Sequence, residues 1–547
     1  MIFLFLSCIT APTESEAPPL PSTAESDTTL QPLDAPRLLR RMSLDLRGTL
    51  PTLEELDAVE ADPSTLDSFR DQYLEDPRFE ERLVDVLAKQ WHTEVETFIV
   101  FYFEWPELDG DETNEYAYER SIGDEPLRLI SRVVVEDQPW EQIVTADWTM
   151  ATDTMAKIFP LEWEEGATGW HQTRYTDGRP AAGVLATNGL WWRYYTTLQN
   201  LNRGRAAAIS RLLLCEDMLS RPINLSGNVD AINSGNLSDA IRENPYCQGC
   251  HTTLDPMAAN LFGFVVSVEQ SGVEMAYYHP EREHYGADAL GVTPGWFGQP
   301  TSGLAQLGMV IAEDPRFWRC SAQRAAEAYW QRPVTAADFD RVESFRQVLL
   351  KEHSYKKLLQ AVTDSAVYRA ERPTEEAPES QRERERVLRL MDPALVNSML
   401  VDLTDFHWTY RGFEQLKADE YGYRVLGGGV DGVYNTQPLE LPTVTWSLMM
   451  RRASEAAARW VVEKDLEEEA ADRKLFDTVT LSTQPGSPEF RAEIERLYWR
   501  LYARHPDQAR LDSLESLWSD VAGLSDPSTA WTALLATLMR DPDFVSY

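Results

Sequence analysis

The chain has 547 residues, 43% hydrophobic and 26% charged, with 17 Trp, 21 Tyr and 19 Phe, a globular composition that is neither fibrous nor disordered. That length allows roughly two to four domains, each with its own core, so stability requires neither metal nor disulfide staples. Acidic residues number 89 against 51 basic ones, a formal net charge of −38 that repels phosphate backbones and anionic headgroups and argues against nucleic acid as a partner.

Residues 1–34 begin "MIFLFLSC", a very short apolar run ending at Cys8, and continue in Pro, Ser, Thr, Glu and Ala, which cannot bury enough apolar surface to fold. The pattern resembles a lipoprotein start with Cys8 as the lipidated residue, followed by a tether. Only seven residues precede Cys8 and none is basic, whereas a lipobox leader has a charged start and a longer apolar stretch. No run of 18 or more apolar residues occurs, so a membrane is expected to be reached only through that anchor.

From residue 35 onward helix signals dominate, and the expected fold class is mainly α, with multi-helical modules surrounding a small cytochrome c-like haem-binding segment. The divisions read as an N-terminal helical domain (35–210), a c-type haem-binding region (211–320), a helical module (321–372), a charged linker (373–386) and a C-terminal helical domain (387–547). Thr52 and Glu55 form a capping-box pattern, Pro63 and Pro77 stand where new helices can begin, and Leu83, Val86 and Leu87 repeat at core spacing.

Three segments share one plan. They are "RRMSLDLRGTLPTLEEL" with "LEDPRFEERL", "AEAYWQRPVTAADFDRV" with "AVTDSAVYRA", and "LYWRLYARHPDQARLDSL" with "LMRDPDFVSY". Each has an apolar helix, an Arg near its end, a Pro with polar residues opening the next helix, and a last helix closing on an aromatic residue. Further on, the glycines of "YRVLGGGVDGVYN" lack the Lys-Ser/Thr ending of a phosphate-binding loop and read as a turn or hairpin.

The chemistry concentrates in "NPYCQGCHTTLDPMAAN", residues 244–260. Cys247, Cys250 and His251 match the attachment motif of c-type haem, one haem c per chain: two thiols one helical turn apart add to the vinyl groups, and the adjacent imidazole becomes the proximal iron ligand. Structural zinc is the rival, with Cys247 and Cys250 joined by His279 and His284, although 28 residues separate Cys250 from His279. A disulfide between Cys247 and Cys250 is a further alternative. For a second iron ligand Met309 is the first candidate, with Met275, His279 and His284 behind it. Met257 is only six residues from His251, and a five-coordinate iron with a reactive face stays open. Cys215 and Cys320 read either as a disulfide in an oxidising compartment or as two buried apolar side chains. No GxSxG, HExxH or catalytic triad pattern occurs, so the site reads as an electron carrier rather than a hydrolase.

On "CQGCHTTLDPMAANLFGF" the chain resembles the planctomycete-type cytochrome c proteins, whose haem motif continues through an apolar residue and Asp-Pro to a Gly or aromatic. Leu254, Asp255, Pro256, Gly263 and Phe264 follow that plan, while Ala258 and Ala259 stand where many relatives have Gly and an aromatic. "RLLRRMSLDLRGTLPTLEELDA" is similar to the family's N-terminal helical module, and the likeness runs over roughly residues 35 to 372. The resemblance implies an exported haem protein, periplasmic or at the cell surface, built from domains of unknown function, and it implies no reaction. Three functions stand on these residues: single-electron transfer with an unknown redox partner, a surface scaffold with structural zinc, and a haem enzyme acting on a small ligand such as peroxide.

Overall fold

The computed structural model describes residues 28–96, 105, 108, 112–221, 241, 245–264, 272–385 and 389–547. Cys8 and most of the expected tether lie outside the described residues. Helix accounts for 59% and strand for 5%, so the protein is mainly α, as its periodicity predicts.

Helix α1 (Ala35–Arg47) starts where the Asp34 carboxylate accepts the Arg37 N–H beside a first-turn proline, and it stops at Gly48, whose φ of 72° is left-handed. Helix α2 (Leu53–Ala61) opens on the predicted capping box: Thr52 Oγ1 accepts from Glu55 N and Glu55 returns a bond to Thr52 N. Helices α3 (Leu66–Leu74) and α4 (Arg78–Trp91) follow, with Leu83 and Leu87 buried and Val86 half-buried. The three similar segments share one geometry. Gly48, Gln331 and Ala503 each end a helix at positive φ (72°, 51° and 52°), and four residues later Thr52, Thr335 and Asp507 supply the next cap. Each segment closes on a buried aromatic, Phe79, Tyr368 or Phe544. The glycine-rich stretch from Tyr423 to Asn435 is a series of turns without strands.

Two large cores result. The first takes its residues from Leu30 through Tyr368 and adds Trp499 and Ala503; the second runs from Met391 through Val545 and also takes Leu44 and Leu50. Helix α1 therefore sits in both. Its buried Arg40 guanidinium donates to the carbonyls of Leu501, Asp543, Phe544 and Ser546 at 3.0–3.2 Å. These four hydrogen bonds from one cation satisfy carbonyls at helix ends that would otherwise be buried unpaired.

The first core is continuous across residues 210 and 320: the helix Arg203–Leu214 spans the first position and the helix Pro315–Trp330 the second. Residues 370–373 pair as a strand with Leu30–Pro32. Within 373–386 the helix Glu379–Arg384 forms, and the next residue, Glu385, accepts from the buried Arg332 guanidinium at 2.9 and 3.1 Å. The charged composition of this stretch thus supplies a docking contact as well as solvation.

Cys215 and Cys320 are joined in a disulfide, closing a sequence separation of 105 residues and tying the helix Arg203–Leu214 to the helix Pro315–Trp330. Cross-linking so long a loop removes entropy from the unfolded chain, so replacing both cysteines by serine should cost about 2–4 kcal/mol. Urea denaturation checks this, and reductant should lower the native protein's midpoint without affecting the double variant.

Helix α5 (Glu112–Val135) carries a half-buried acid, Glu119. Burial pushes Glu119 up to about 8, reinforced by Glu420, Glu96 and Glu115. The folded protein then holds a proton that the unfolded chain, with an ordinary value of 4.5, has released. The stability associated with this proton is present below pH 4.5 and is lost as pH rises toward 8. Glu119→Gln should flatten that slope and raise the urea midpoint at pH 8, with no change at pH 4.

Candidate functional site

Cys247, Cys250 and His251 lie on the helix Pro245–Ala259, which packs against the helix Arg203–Leu214 and presents Leu254, Met257, Ala258 and Ala259 to the first core. Cys247 and Cys250 are three apart, one turn on the same face, and both are half-buried free thiols. Cys250 packs against the core margin.

The imidazole of His251 is oriented by a charged chain. Its Nδ1 lies 2.9 Å from Asp255 Oδ1, one turn along the helix. Asp255, nearly buried, is held by Arg203 in a two-pronged contact of 2.7 and 3.0 Å. Burial alone would raise the Asp255 carboxyl, but the bonds from His251 and Arg203 hold it below the usual carboxylate range. An ionised carboxylate only accepts, so Nδ1 carries a proton, and in the neutral imidazole the lone pair is therefore on Nε2. Among the described residues nothing bonds to Nε2.

This donor set fits a haem attached through two thioethers. The thiols are unpaired and one turn apart, and the imidazole presents an unbonded Nε2 with its other nitrogen held by a carboxylate, an arrangement that recurs around metal-bound histidines. The surrounding glycines have steric causes. A Cβ on Gly263 would fall 2.2 Å from the Tyr278 ring, and one on Gly286 would fall 2.2 Å from the Ala259 carbonyl oxygen.

The candidates for a second iron ligand separate on geometry. Met257 lies six residues along the same helix, about 9 Å further and roughly 240° round, so it cannot face His251 across a ring plane. Both ring nitrogens of His279 are engaged, Nδ1 with Glu281 at 3.1 Å and Nε2 with the Glu274 carbonyl at 3.1 Å. His284 is exposed and packs edge-on to Tyr285 at 4.3 Å. Met275 packs against a third, smaller core around Phe159 and Trp192. Met309, on the helix Leu304–Glu313, is 56% exposed.

The zinc alternative requires Cys247, Cys250, His279 and His284 to converge, and they do not. Among the described residues no group of three or more His, Cys, Asp or Glu side chains is placed to hold a metal ion. The physical reason is the prior engagement of His279 with Glu274 and Glu281, in a segment whose buried Tyr278 packs under Gly263. The alternative disulfide is also absent, since Cys247 and Cys250 are both free.

Arg203 was not among the residues singled out by sequence. It stands 52 positions before Asp255, and nothing in "LNRGRAAAIS" distinguishes it from a solvated helix-start arginine.

Residues 23–184 match the family model PSCyt2, described as a protein of unknown function (DUF1549). The stretch contains α1 to α5, the helical module to which the resemblance pointed, and it ends well before Cys247. No curated protein and no solved structure matches the chain.

Proposed function

We propose that this chain is an exported c-type haem protein that passes single electrons, with Cys247 and Cys250 holding haem c by thioether bonds and His251 Nε2 as proximal ligand. The observation that carries the reading is the ordered series Arg203–Asp255–His251, which fixes the imidazole tautomer and leaves the iron-facing nitrogen unbonded. When bound, haem supplies the one-electron chemistry of its iron, tuned by the axial ligand and its hydrogen bonds. Asp255 holds the Nδ1 proton and makes the imidazole a stronger donor. Arg203 keeps Asp255 ionised, and the helix Pro245–Ala259 presents both thiols on one edge. The disulfide between Cys215 and Cys320 accords with an oxidising compartment, where haem attachment also takes place. A chain of net charge −38 would steer a positively charged redox partner toward it.

A second reading, a haem enzyme binding a small ligand such as peroxide at an open iron position, draws support from the placement of Met257 and the engagement of His279 described above. The segments 222–244 and 265–271 that flank the motif also contain neither Met nor His.

Expression in a host that matures c-type cytochromes, followed by a haem stain on a denaturing gel and a visible spectrum, tests both readings. A stained band and a Soret peak are expected, with a six-coordinate low-spin spectrum for the electron carrier and a high-spin ferric one for the open position. An unstained protein without a Soret peak overturns the haem assignment.

A further inference from the structure

A cavity of about 560 Å³ lies where the two large cores meet, far larger than the gaps of ordinary packing and within the range of small-molecule sites. Cys247, Cys250 and His251 do not line it. The two places are linked by the helix Arg203–Leu214, which grips Asp255 at its first residue and brings Arg211 to the cavity wall eight residues, about 12 Å, further along.

The cavity gathers cations and carboxylates together, and the cations differ in how closely they are paired. Arg82 and Lys89 share Asp392 at 3.3 and 2.6 Å, and Arg332 is held by Asp338 and Glu385. Arg211 and Arg324 differ. Arg211 meets only neutral groups among the described residues, donating to Tyr194 Oη at 2.6 Å and to His92 Nδ1 at 3.3 Å. Arg324 donates to the Arg211 carbonyl at 3.1 Å, and its one carboxylate neighbour, Glu327, stands at 4.0 Å. Burial, with Arg211 adjacent, holds the Arg324 guanidinium below the ordinary arginine value.

His92 completes the cluster as a neutral group. Its Nε2 donates to the Thr436 carbonyl at 3.1 Å, so Nδ1 is the acceptor facing Arg211. Burial and the charges of Arg211, Arg193 and Arg324 push the ring down to about 4. The lining carries six cations (Arg82, Lys89, Arg211, Arg324, Arg332, Arg389) against five carboxylates (Asp45, Asp217, Glu327, Asp392, Glu440), so with the imidazole kept neutral it is net positive by one charge, and Arg211 and Arg324 are the adjoining pair with the least carboxylate contact. Elsewhere on the wall the hydroxyl of buried Tyr329 has no hydrogen-bond partner among the described residues, and the mostly apolar Trp446 also lines it.

We propose that this cavity binds a small organic oxyanion, its carboxylate or phosphate group received by Arg211 and Arg324 and its uncharged body lying within the wall that includes Trp446. Arginine presents paired N–H donors that match either oxyanion. The site is independent of haem attachment.

The test uses the full chain, titrated calorimetrically with inorganic phosphate and with benzoate, whose separate arms tell a phosphate site from a carboxylate site. Saturable binding of at least one probe is expected, weakened about tenfold or more in Arg211→Gln and in Arg324→Gln. The exposed Arg451→Gln control should bind as the native chain does. In the native protein, NMR titration of His92 should show its pKa rising when the probe is bound, a readout that survives if a variant fails to fold. Absence of saturable binding by both probes, unchanged affinity in both arginine variants, or a His92 titration unmoved by a bound probe overturns the proposal. The titration proceeds whether or not the chain carries haem, so its failure is distinct from that of the haem assignment.

Discussion

The Cys247→Ala/Cys250→Ala variant is expected to carry no covalently bound haem when produced in a maturing host, with the haem stain falling from one equivalent to background. Both side chains are half-buried and free, so their removal opens little core, and the circular dichroism should match the native chain. A chain that retained stained haem without either thiol would refute the attachment sites. Asp255→Asn separates positioning from attachment. It should leave the thioethers in place, yet remove the negative charge that faces Nδ1 and makes His251 a strong donor. The reduction potential should therefore rise, because a weaker donor favours ferrous iron. Equal potentials in the two proteins would show that Asp255 is merely structural.

Asp392→Ala is expected to be the most damaging single change to stability outside the packed cores. Asp392 accepts from Lys89 at 2.6 Å and Arg82 at 3.3 Å on α4, and it caps the helix Pro393–Thr404 by accepting the Leu395 N–H at 2.9 Å. Burial works against its charge, but Lys89 and Arg82 hold it far below the usual carboxylate range. Its depressed value means that its contribution is complete above the ordinary carboxylate value of 3.8 and is lost only as pH falls below it. Removing the carboxylate strands the buried Arg82 and uncaps a helix. About 3–5 kcal/mol is expected from breaking the pair and about 1 kcal/mol from the cap. Urea denaturation at pH 7 measures the sum, and Asp392→Asn, which keeps a cap acceptor, should recover the smaller part. A loss below about 1 kcal/mol, the range of surface pairs, would show that this contact does not join the two halves.

Much of the local structure was legible in the chain. The Thr52–Glu55 box forms because both partners lie within one turn and need nothing from the rest of the molecule. The three similar segments could be read for the same reason: a helix end, a four-residue connection and a cap are short-range events. That Gly48, Gln331 and Ala503 all adopt left-handed φ was not legible, because Gln and Ala carry no sequence signal for it. The stretch 373–386 looked like a linker because it lacks an apolar stripe, whereas its docking runs through Glu385 and a buried arginine 53 residues earlier.

For the candidate site the division is sharper. By itself the sequence determined the mainly helical class, the caps and the Cys247, Cys250, His251 spacing, because each depends on residues within a turn or two of one another. The tertiary structure decided which nitrogen of His251 stays unbonded, since Arg203 reaches Asp255 across 52 residues. It also decided between the two readings of Cys215 and Cys320, joining them across 105 residues, and gathered His92, Arg211 and Arg324 around one cavity. Contacts of that range arise only when amphipathic helices choose their partners, and periodicity specifies a buried face without specifying what covers it.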